Sequence, residues 1–206
     1  LTTAPVAFYL LLLPIWEQRP ITDKDLSPGP FPMDVPAEKI RFAADGFKYA
    51  DFEFRARLAQ NLGRSESPVA ADVLVEQLQR ENDPGVTGSI LGMLALLPAE
   101  ETAVTPSLAA EYFSHPSAMV RRNAVRLYVK LEDVSVAELL ALATSDSGTP
   151  VRLEAMQGLV PRVTELQPSD LESLLDADSV PLRAAAYALL CQVPWSGDDF
   201  SDRIQQ

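Results

Sequence analysis

A short helical pattern recurs five times along the chain at nearly constant spacing. It consists of an apolar residue, an arginine, two variable positions, a small or apolar residue, three variable positions and a leucine. Two clear copies are VRLEAMQGL, beginning at Val151, and LRAAAYALL, beginning at Leu182. The copies begin at positions 54, 86, 120, 151 and 182, so they are 32, 34, 31 and 31 residues apart. Such a period is the signature of a repeat protein.

The first, fifth and ninth residues of each copy lie on one face of an α-helix, and this face is apolar in nearly every case. Three copies carry alanine in the middle position, which lets a neighbouring helix approach closely. We therefore predict that this face is buried in the core. The predicted core residues are Phe54, Leu58, Leu62, Val86, Ile90, Leu94, Val120, Ala124, Tyr128, Val151, Ala155, Leu159, Leu182, Ala186 and Leu190.

A further helix is predicted before each copy, separated from it by turn-forming sequences such as NDPG and SHPS. One such pair of helices cannot bury its apolar faces alone, so successive pairs must stack. The sequence therefore predicts an all-α fold, a right-handed α-solenoid of about five helix–turn–helix repeats. The apolar residues predicted to face the core from the preceding helices are Val75, Leu78, Ala109, Tyr112, Leu140, Ala143, Leu171 and Leu174. Phe42 and Phe47 could serve the first copy, although each lies one residue out of that register.

The repeats resemble HEAT-like repeats, in particular the short repeats of the phycobilisome-lyase HEAT-like family. The resemblance covers roughly residues 36–194 and is carried by PVR..A...L at 150–159, PLR..A...L at 181–190 and MVR..A..LY at 119–128. It implies that the helices carrying the repeated pattern, which are the second helices of each pair, line the concave side of the solenoid. It also implies that the arginine after the first apolar residue braces a turn or the adjacent repeat, with Asp146 as a suitable partner for Arg152. These arginines are Arg55, Arg121, Arg152 and Arg183.

The chain divides into three segments. Residues 1–35 combine an apolar run at 6–16 with a proline-rich strap, residues 36–194 hold the repeats, and residues 195–206 form a C-terminal cap or tail. The run of 11 apolar residues is shorter than the ~20 that a spanning helix needs. It is interpreted either as a cap on the first repeat or as a membrane or signal remnant. The leucine at position 1 favours a processed, exported or periplasmic chain over a cytoplasmic one.

Charge is distributed unevenly on a chain whose net charge is −12. The second helices hold ten basic residues and one acidic residue, whereas the rest of the chain holds seven basic and 28 acidic residues. Most of the basic residues beyond the bracing arginines fall on a face that leads away from the core. That face is either merely solvated or a partner-binding groove. The predicted groove residues are Arg57, Gln60, Arg64, Arg122, Asn123, Arg126, Lys130, Gln157 and Arg162.

No motif for catalysis, cofactor binding or metal binding stands out. The phosphate loop, the nucleophile elbow and the HExxH pair are all missing from the sequence. The single histidine, His115, is interpreted as a turn residue. The single cysteine, Cys191, is interpreted as packing filler because it shares a column with Gly63, Ala95, Val129 and Val160. We therefore predict no catalytic residue, no cofactor and no metal.

The function predicted from these features is non-catalytic protein–protein interaction, as a scaffold that binds an acidic surface of another protein in its concave groove. The first alternative is a lyase-type or chaperone-like enzyme that acts on a bound cofactor. The second is a nucleic-acid binder, which is disfavoured by the net negative charge and by the shortage of aromatic residues on the basic helices.

Overall fold

A computed structural model describes residues 37–48, 51–65, 67–98 and 104–194. All regular structure in these ranges is helical, and they contain no strand, so the predicted all-α class is confirmed. None of the described helices combines the length and the apolar character needed to cross a membrane. The apolar run, the proline-rich strap and the C-terminal segment from 195 lie outside the described residues.

Ten α-helices follow one another in the described part of the chain. Short 3-10 helices extend or precede some of them, at Asp45–Lys48, Val160–Glu165 and Pro168–Leu171. The odd-numbered α-helices are the predicted first helices of each pair, and the even-numbered ones carry the repeated pattern. The helices are α1 (Ala37–Ala44), α2 (Phe52–Gly63), α3 (Pro68–Leu78), α4 (Pro84–Leu94), α5 (Pro106–Ala110), α6 (Ala118–Tyr128), α7 (Val136–Ser145), α8 (Thr149–Leu159), α9 (Glu172–Leu175) and α10 (Val180–Leu190).

The predicted turn sequences start the even-numbered helices. The Asp83 carboxylate accepts hydrogen bonds from the backbone N–H groups of Gly85 (2.8 Å) and Val86 (3.0 Å), which caps α4. Proline stands in the first turn of α4, α8 and α10, where its missing N–H would have no partner within the helix. Local sequence therefore fixes where each of these helices begins.

The even-numbered helices pack against one another in chain order. Helix α2 contacts α4, α4 contacts α6, α6 contacts α8, and α8 contacts α10. Each even-numbered helix from α4 onward also contacts the odd-numbered helix that precedes it. The core therefore runs continuously along the even-numbered series, with the odd-numbered helices beside it.

The predicted buried face of the even-numbered helices is confirmed. Its residues are buried except for Phe54 and Leu190, which are half-buried. These two lie on α2 and α10, which have a neighbouring even-numbered helix on one side only among the described residues. Helix α1 differs from the prediction, because Phe42 is exposed. Ile40, Ala43 and Phe47 share the buried side instead, and at 100° per residue Phe42 points away from them.

Glycines allow the even-numbered helices to approach closely. A Cβ added at Gly158 of α8 would lie 2.3 Å from Cγ1 of Val129, just after α6. A Cβ added at Gly63 of α2 would lie 2.4 Å from Cβ of Met93 on α4. Neither contact involves the far end of a flexible side chain, so the backbones of adjacent helices are held at a spacing that only glycine permits.

Substituting Gly158 with alanine tests this close approach. In an exposed helix the change would stabilise the protein by about 1 kcal/mol, but here we expect the free energy of unfolding to fall by about 1–3 kcal/mol because the added methyl group overpacks the seam. Urea unfolding measures the difference. Val129→Ala should relieve the collision, so the double variant should be more stable than the sum of the single effects. A stabilised Gly158→Ala protein would contradict the described packing.

Candidate functional site

Two of the bracing arginines join neighbouring helix pairs. The Arg121 guanidinium donates to both Asp146 carboxylate oxygens, at 2.8 and 2.9 Å, and also to the His115 carbonyl oxygen at 2.9 Å. It thus links the turn before α6 to the turn before α8. Arg55 similarly donates to both oxygens of Glu81, at 2.9 and 3.1 Å, and reaches the turn before α4. The bracing role implied by the resemblance is confirmed for both.

The other two arginines brace the turn of their own helix pair. Arg152 donates to the Ala143 carbonyl oxygen at 2.7 Å, and Arg183 donates to the Ala177 carbonyl oxygen at 2.6 Å. The expectation that Asp146 pairs with Arg152 was wrong. Arg121 reaches across from the preceding helix pair and occupies both carboxylate oxygens, and Arg152 bonds to a carbonyl oxygen instead.

Two predicted groove residues converge on one buried carboxylate. Arg122 donates through Nε to Oε2 of Glu154 at 3.0 Å, and Arg126 donates through Nε to Oε1 at 3.0 Å and through Nη2 to Oε2 at 3.2 Å. The Glu154 side chain is only 9% exposed, whereas the Arg122 and Arg126 side chains are 44% and 38% exposed. We call these three residues the Arg122–Arg126–Glu154 cluster. It bridges α6 and α8 and presents two arginines to solvent.

Glu154 is held in its charged form. Burial alone would raise the pKa of Glu154, but the hydrogen bonds and positive charges of Arg126 and Arg122 outweigh it and hold the pKa below its ordinary value. The cluster therefore carries a net charge of about +1 at neutral pH. Within the described part of the chain, Arg122 uses only its Nε as a hydrogen-bond donor, so its two Nη groups remain for an incoming acceptor.

Three further groove residues make hydrogen bonds within the fold. Asn123 donates through Nδ2 to the Gly88 carbonyl oxygen at 2.7 Å, which ties α6 to α4. Arg162 donates to the Gly158 carbonyl oxygen at 3.1 Å, and Arg57 pairs with Glu53 at 3.3 Å on the exposed side of α2. These contacts use hydrogen-bond donors of Asn123, Arg162 and Arg57 within the fold, so fewer donors of these side chains remain for a partner.

The remaining groove residues are more open to solvent. Arg64, Lys130 and Gln157 are exposed, and Gln60 is half-buried. Arg64 is the first residue after α2 and Lys130 is the second after α6, where a positive charge complements the helix dipole. Of the nine predicted groove residues, Arg122 and Arg126 are brought together by a shared partner among the described residues, and the others are distributed along the even-numbered helices.

Glu154 is the residue that sequence reasoning missed. It was recognised as the acidic residue of the second helices, but it was not connected to the arginines. The signal was present, since Arg122 and Glu154 are 32 residues apart, one more than the 31 residues that separate their two copies. Residues separated by about one repeat occupy neighbouring positions on adjacent even-numbered helices, so opposite charges at that separation predict a bridge between them.

Of the two predictions made for the single histidine and the single cysteine, the structure confirms the first and contradicts the second. His115 accepts a hydrogen bond at Nδ1 from the backbone N–H of Ser117 at 3.0 Å, so its interpretation as a turn residue is confirmed. The interpretation of Cys191 as packing filler was wrong, because Cys191 is exposed. The positions equivalent to Cys191 differ in burial. Gly63 and Val129 contact the next even-numbered helix, whereas Val160 is 44% exposed.

A hollow of about 760 Å³ lies between α1, the 3-10 turn after it, and α3. Its rim carries charges of both signs, including Arg41 and Arg80 beside Asp72 and Glu76. In the described ranges no group of three or more His, Cys, Asp or Glu side chains is arranged to hold a metal ion. The hollow is lined by odd-numbered elements and does not include the Arg122–Arg126–Glu154 cluster.

The lowered pKa of Glu154 predicts how stability depends on pH. Its contribution is fully present above pH ~4.3, the ordinary pKa of a glutamate, and is lost as the pH falls through the lower pKa of the folded state. At pH 7 we expect Glu154→Gln to lower the free energy of unfolding by about 1–2 kcal/mol. Urea titrations at pH 7 and pH 3 should show that the difference in free energy of unfolding between wild type and variant, the stability gap, becomes smaller at pH 3. The exposed control Glu76→Gln should show almost no gap at either pH, and an unchanged Glu154→Gln gap at pH 3 would contradict the assignment.

Comparison with known proteins does not place the chain in a family. No family model matches the sequence, and no curated protein matches it either. Its function is therefore inferred from the geometry of the cluster and of the surface around it.

Proposed function

We propose that the chain is a right-handed α-solenoid of about five HEAT-like repeats that binds another protein without catalysis. The consecutive packing of α2, α4, α6, α8 and α10 supports this arrangement, as does the regular spacing of the repeated pattern. In a solenoid of this kind the second helices line the concave side, where they form an extended binding surface. The polar residues of the even-numbered helices then make up the floor of the groove.

The Arg122–Arg126–Glu154 cluster is the observation that carries the proposed function. A buried carboxylate holds two partly exposed guanidinium groups in fixed positions, so little side-chain entropy is lost when they bind. A guanidinium group donates two parallel hydrogen bonds to a carboxylate, which favours an acidic protein surface as the partner. Lys130, exposed just after α6, adds a further positive charge.

Protein fits this surface better than nucleic acid does. The net charge of −12 repels a polyanion at long range. A nucleic-acid interface neutralises many phosphates, whereas part of the positive charge here is already neutralised by Glu154. A few well-oriented arginines are suited to a local acidic patch on a folded partner, where electrostatic complementarity fixes the orientation of the complex.

The test removes the cluster without leaving a buried charge. Reversing Arg122 and Arg126 to glutamate is not suitable, because three carboxylates would then meet between α6 and α8 and the fold would be weakened. The triple variant Arg122→Gln, Arg126→Gln, Glu154→Gln changes the net charge by only one unit and retains polar side chains. The matched control is Arg80→Gln, which removes an exposed arginine just after α3. The Nη2 of Arg80 lies 4.0 Å from Oε2 of Glu76 on α3.

Affinity purification from the native source with these three proteins is the measurement. We expect the wild type and Arg80→Gln to retain the same partner protein and the triple variant to lose it. Circular dichroism should show the same helix content in all three. Capture of an identical set of proteins by the triple variant would overturn the proposed groove, and capture that nuclease treatment abolishes would favour the nucleic-acid alternative.

A further inference from the structure

The outer side of α10 carries an apolar stripe. Val180, Ala184, Tyr187 and Cys191 are all exposed, and at 100° per residue they lie within a narrow sector of the helix surface. Val180 and Tyr187 are 65% and 55% exposed. None of the four residues carries a formal charge at neutral pH. We call these four residues the α10 stripe.

One position of the α10 stripe, that of Tyr187, is buried in every earlier even-numbered helix. The sixth residue of the repeated pattern is Ala59 in α2, Leu91 in α4, Val125 in α6 and Met156 in α8, and none of these is more than 1% exposed. In each case the next even-numbered helix packs against the one that carries it. Tyr187 holds the same position in α10 but is 55% exposed, and among the described residues no further even-numbered helix packs over it.

The stripe also has the small residues that close packing requires. Ala184 is equivalent to Gly88 in α4, which receives the side chain of Met119 from α6. The Met119 Cε would lie 2.8 Å from a Cβ placed on Gly88. A position of this kind favours a small residue, and Ala184 carries only a methyl group there. Within the α10 stripe, Tyr187 supplies a large side chain and Ala184 supplies the space for one.

Charge decides which surface of this molecule could cover the stripe. Stacking of α10 on α2 of another copy would bring it against Glu53 and Arg57, an exposed ion pair at 3.3 Å. Covering those charges with apolar groups is unfavourable. Antiparallel pairing of α10 with α10 of a second copy places Tyr187 on Ala184 and Val180 on Cys191, and none of these four residues is charged. We propose that this chain forms a two-fold dimer through the α10 stripe, independently of the proposed groove.

Such a dimer closes on itself, since both copies use the same surface. One helix face is smaller than the ~800 Å² per partner that stable complexes bury, so we expect association only at concentrations of about 100 µM or above. The contact is apolar, and high salt should therefore strengthen it by screening the repulsion between two chains of charge −12.

A disulfide trap tests the register. In the antiparallel pair, residue 180 of one copy lies beside Cys191 of the other, so Val180→Cys should form a covalent dimer when oxidised glutathione accepts the electrons of the two thiols. The wild type should not, because the two Cys191 residues lie on the order of 16 Å apart along the helices. Val180→Cys combined with Cys191→Ser should also stay uncrosslinked. Equal crosslinking of all three proteins would overturn the proposed pairing.

Sedimentation and thiol reactivity test the dimer without an engineered bond. The average mass of the wild type and of Tyr187→Phe should rise with concentration, and that of Ala184→Glu should not. Alkylation of Cys191 should slow in parallel with the rise in mass. A monomer at every concentration overturns the proposal in either of two ways. Slow alkylation of Cys191 would show that another part of the same chain covers the stripe. Fast alkylation would show that the stripe is uncovered in the isolated chain, so that only a different protein could cover it.

Discussion

Replacing Arg121 with alanine is expected to lower the free energy of unfolding by about 3–5 kcal/mol. The Arg121 and Asp146 side chains are 10% and 5% exposed, and their paired hydrogen bonds join two successive helix pairs. Alanine would leave the Asp146 carboxylate buried without its charged partner and would also free the carbonyl oxygens of His115 and Pro116. Urea unfolding followed by circular dichroism measures the loss.

Two variants separate the bridge from a general effect of removing an arginine. Arg152→Ala removes a side chain that donates one hydrogen bond to the Ala143 carbonyl oxygen, so we expect a smaller cost of about 1 kcal/mol. Arg121→Ala combined with Asp146→Ala should recover part of the loss, because no buried charge remains. A cost below about 1 kcal/mol for Arg121→Ala would contradict the described bridge.

Replacing Leu159 with alanine is expected to cost about 2–5 kcal/mol, because it removes a fully buried side chain and leaves a cavity. Leu159 occupies the last position of the repeated face of α8. The matched control is Leu96→Ala, since the Leu96 side chain is 63% exposed and its loss should change stability by less than about 0.5 kcal/mol. Equal costs for the two variants would mean that the wrong face of the repeated helix had been assigned to the core.

Much of the fold could be predicted because the same physical requirement recurs in every repeat. A face that must be buried in each copy leaves the same apolar positions in each copy, and these positions located the core from Leu58 to Ala186. The errors concern the ends of the series. The repeated pattern does not extend to α1, where Phe42 lies off the buried face, and it does not specify the exposure of Cys191 after α10, the last described helix.

The candidate site was predictable in composition but not in its contacts. The pattern identified Arg122 and Arg126 as residues that point away from the core, and both are partly exposed. It did not identify which acidic residue lies against which arginine. That depends on the offset between adjacent helices, which placed Glu154 beside Arg122 and Arg126 and gave Asp146 to Arg121 rather than to Arg152.

Distances between spin labels at equivalent positions test the proposed stacking of helix pairs most directly. Arg64, Lys130 and Gln192 follow α2, α6 and α10, share one position of the repeat and are all exposed. With labels at these sites and Cys191→Ser as background, pulsed electron resonance should give about 20 Å between positions 64 and 130 and about 40 Å between positions 64 and 192, since each stacking step adds 8–10 Å. A distance from 64 to 192 no longer than that from 64 to 130 would contradict a solenoid.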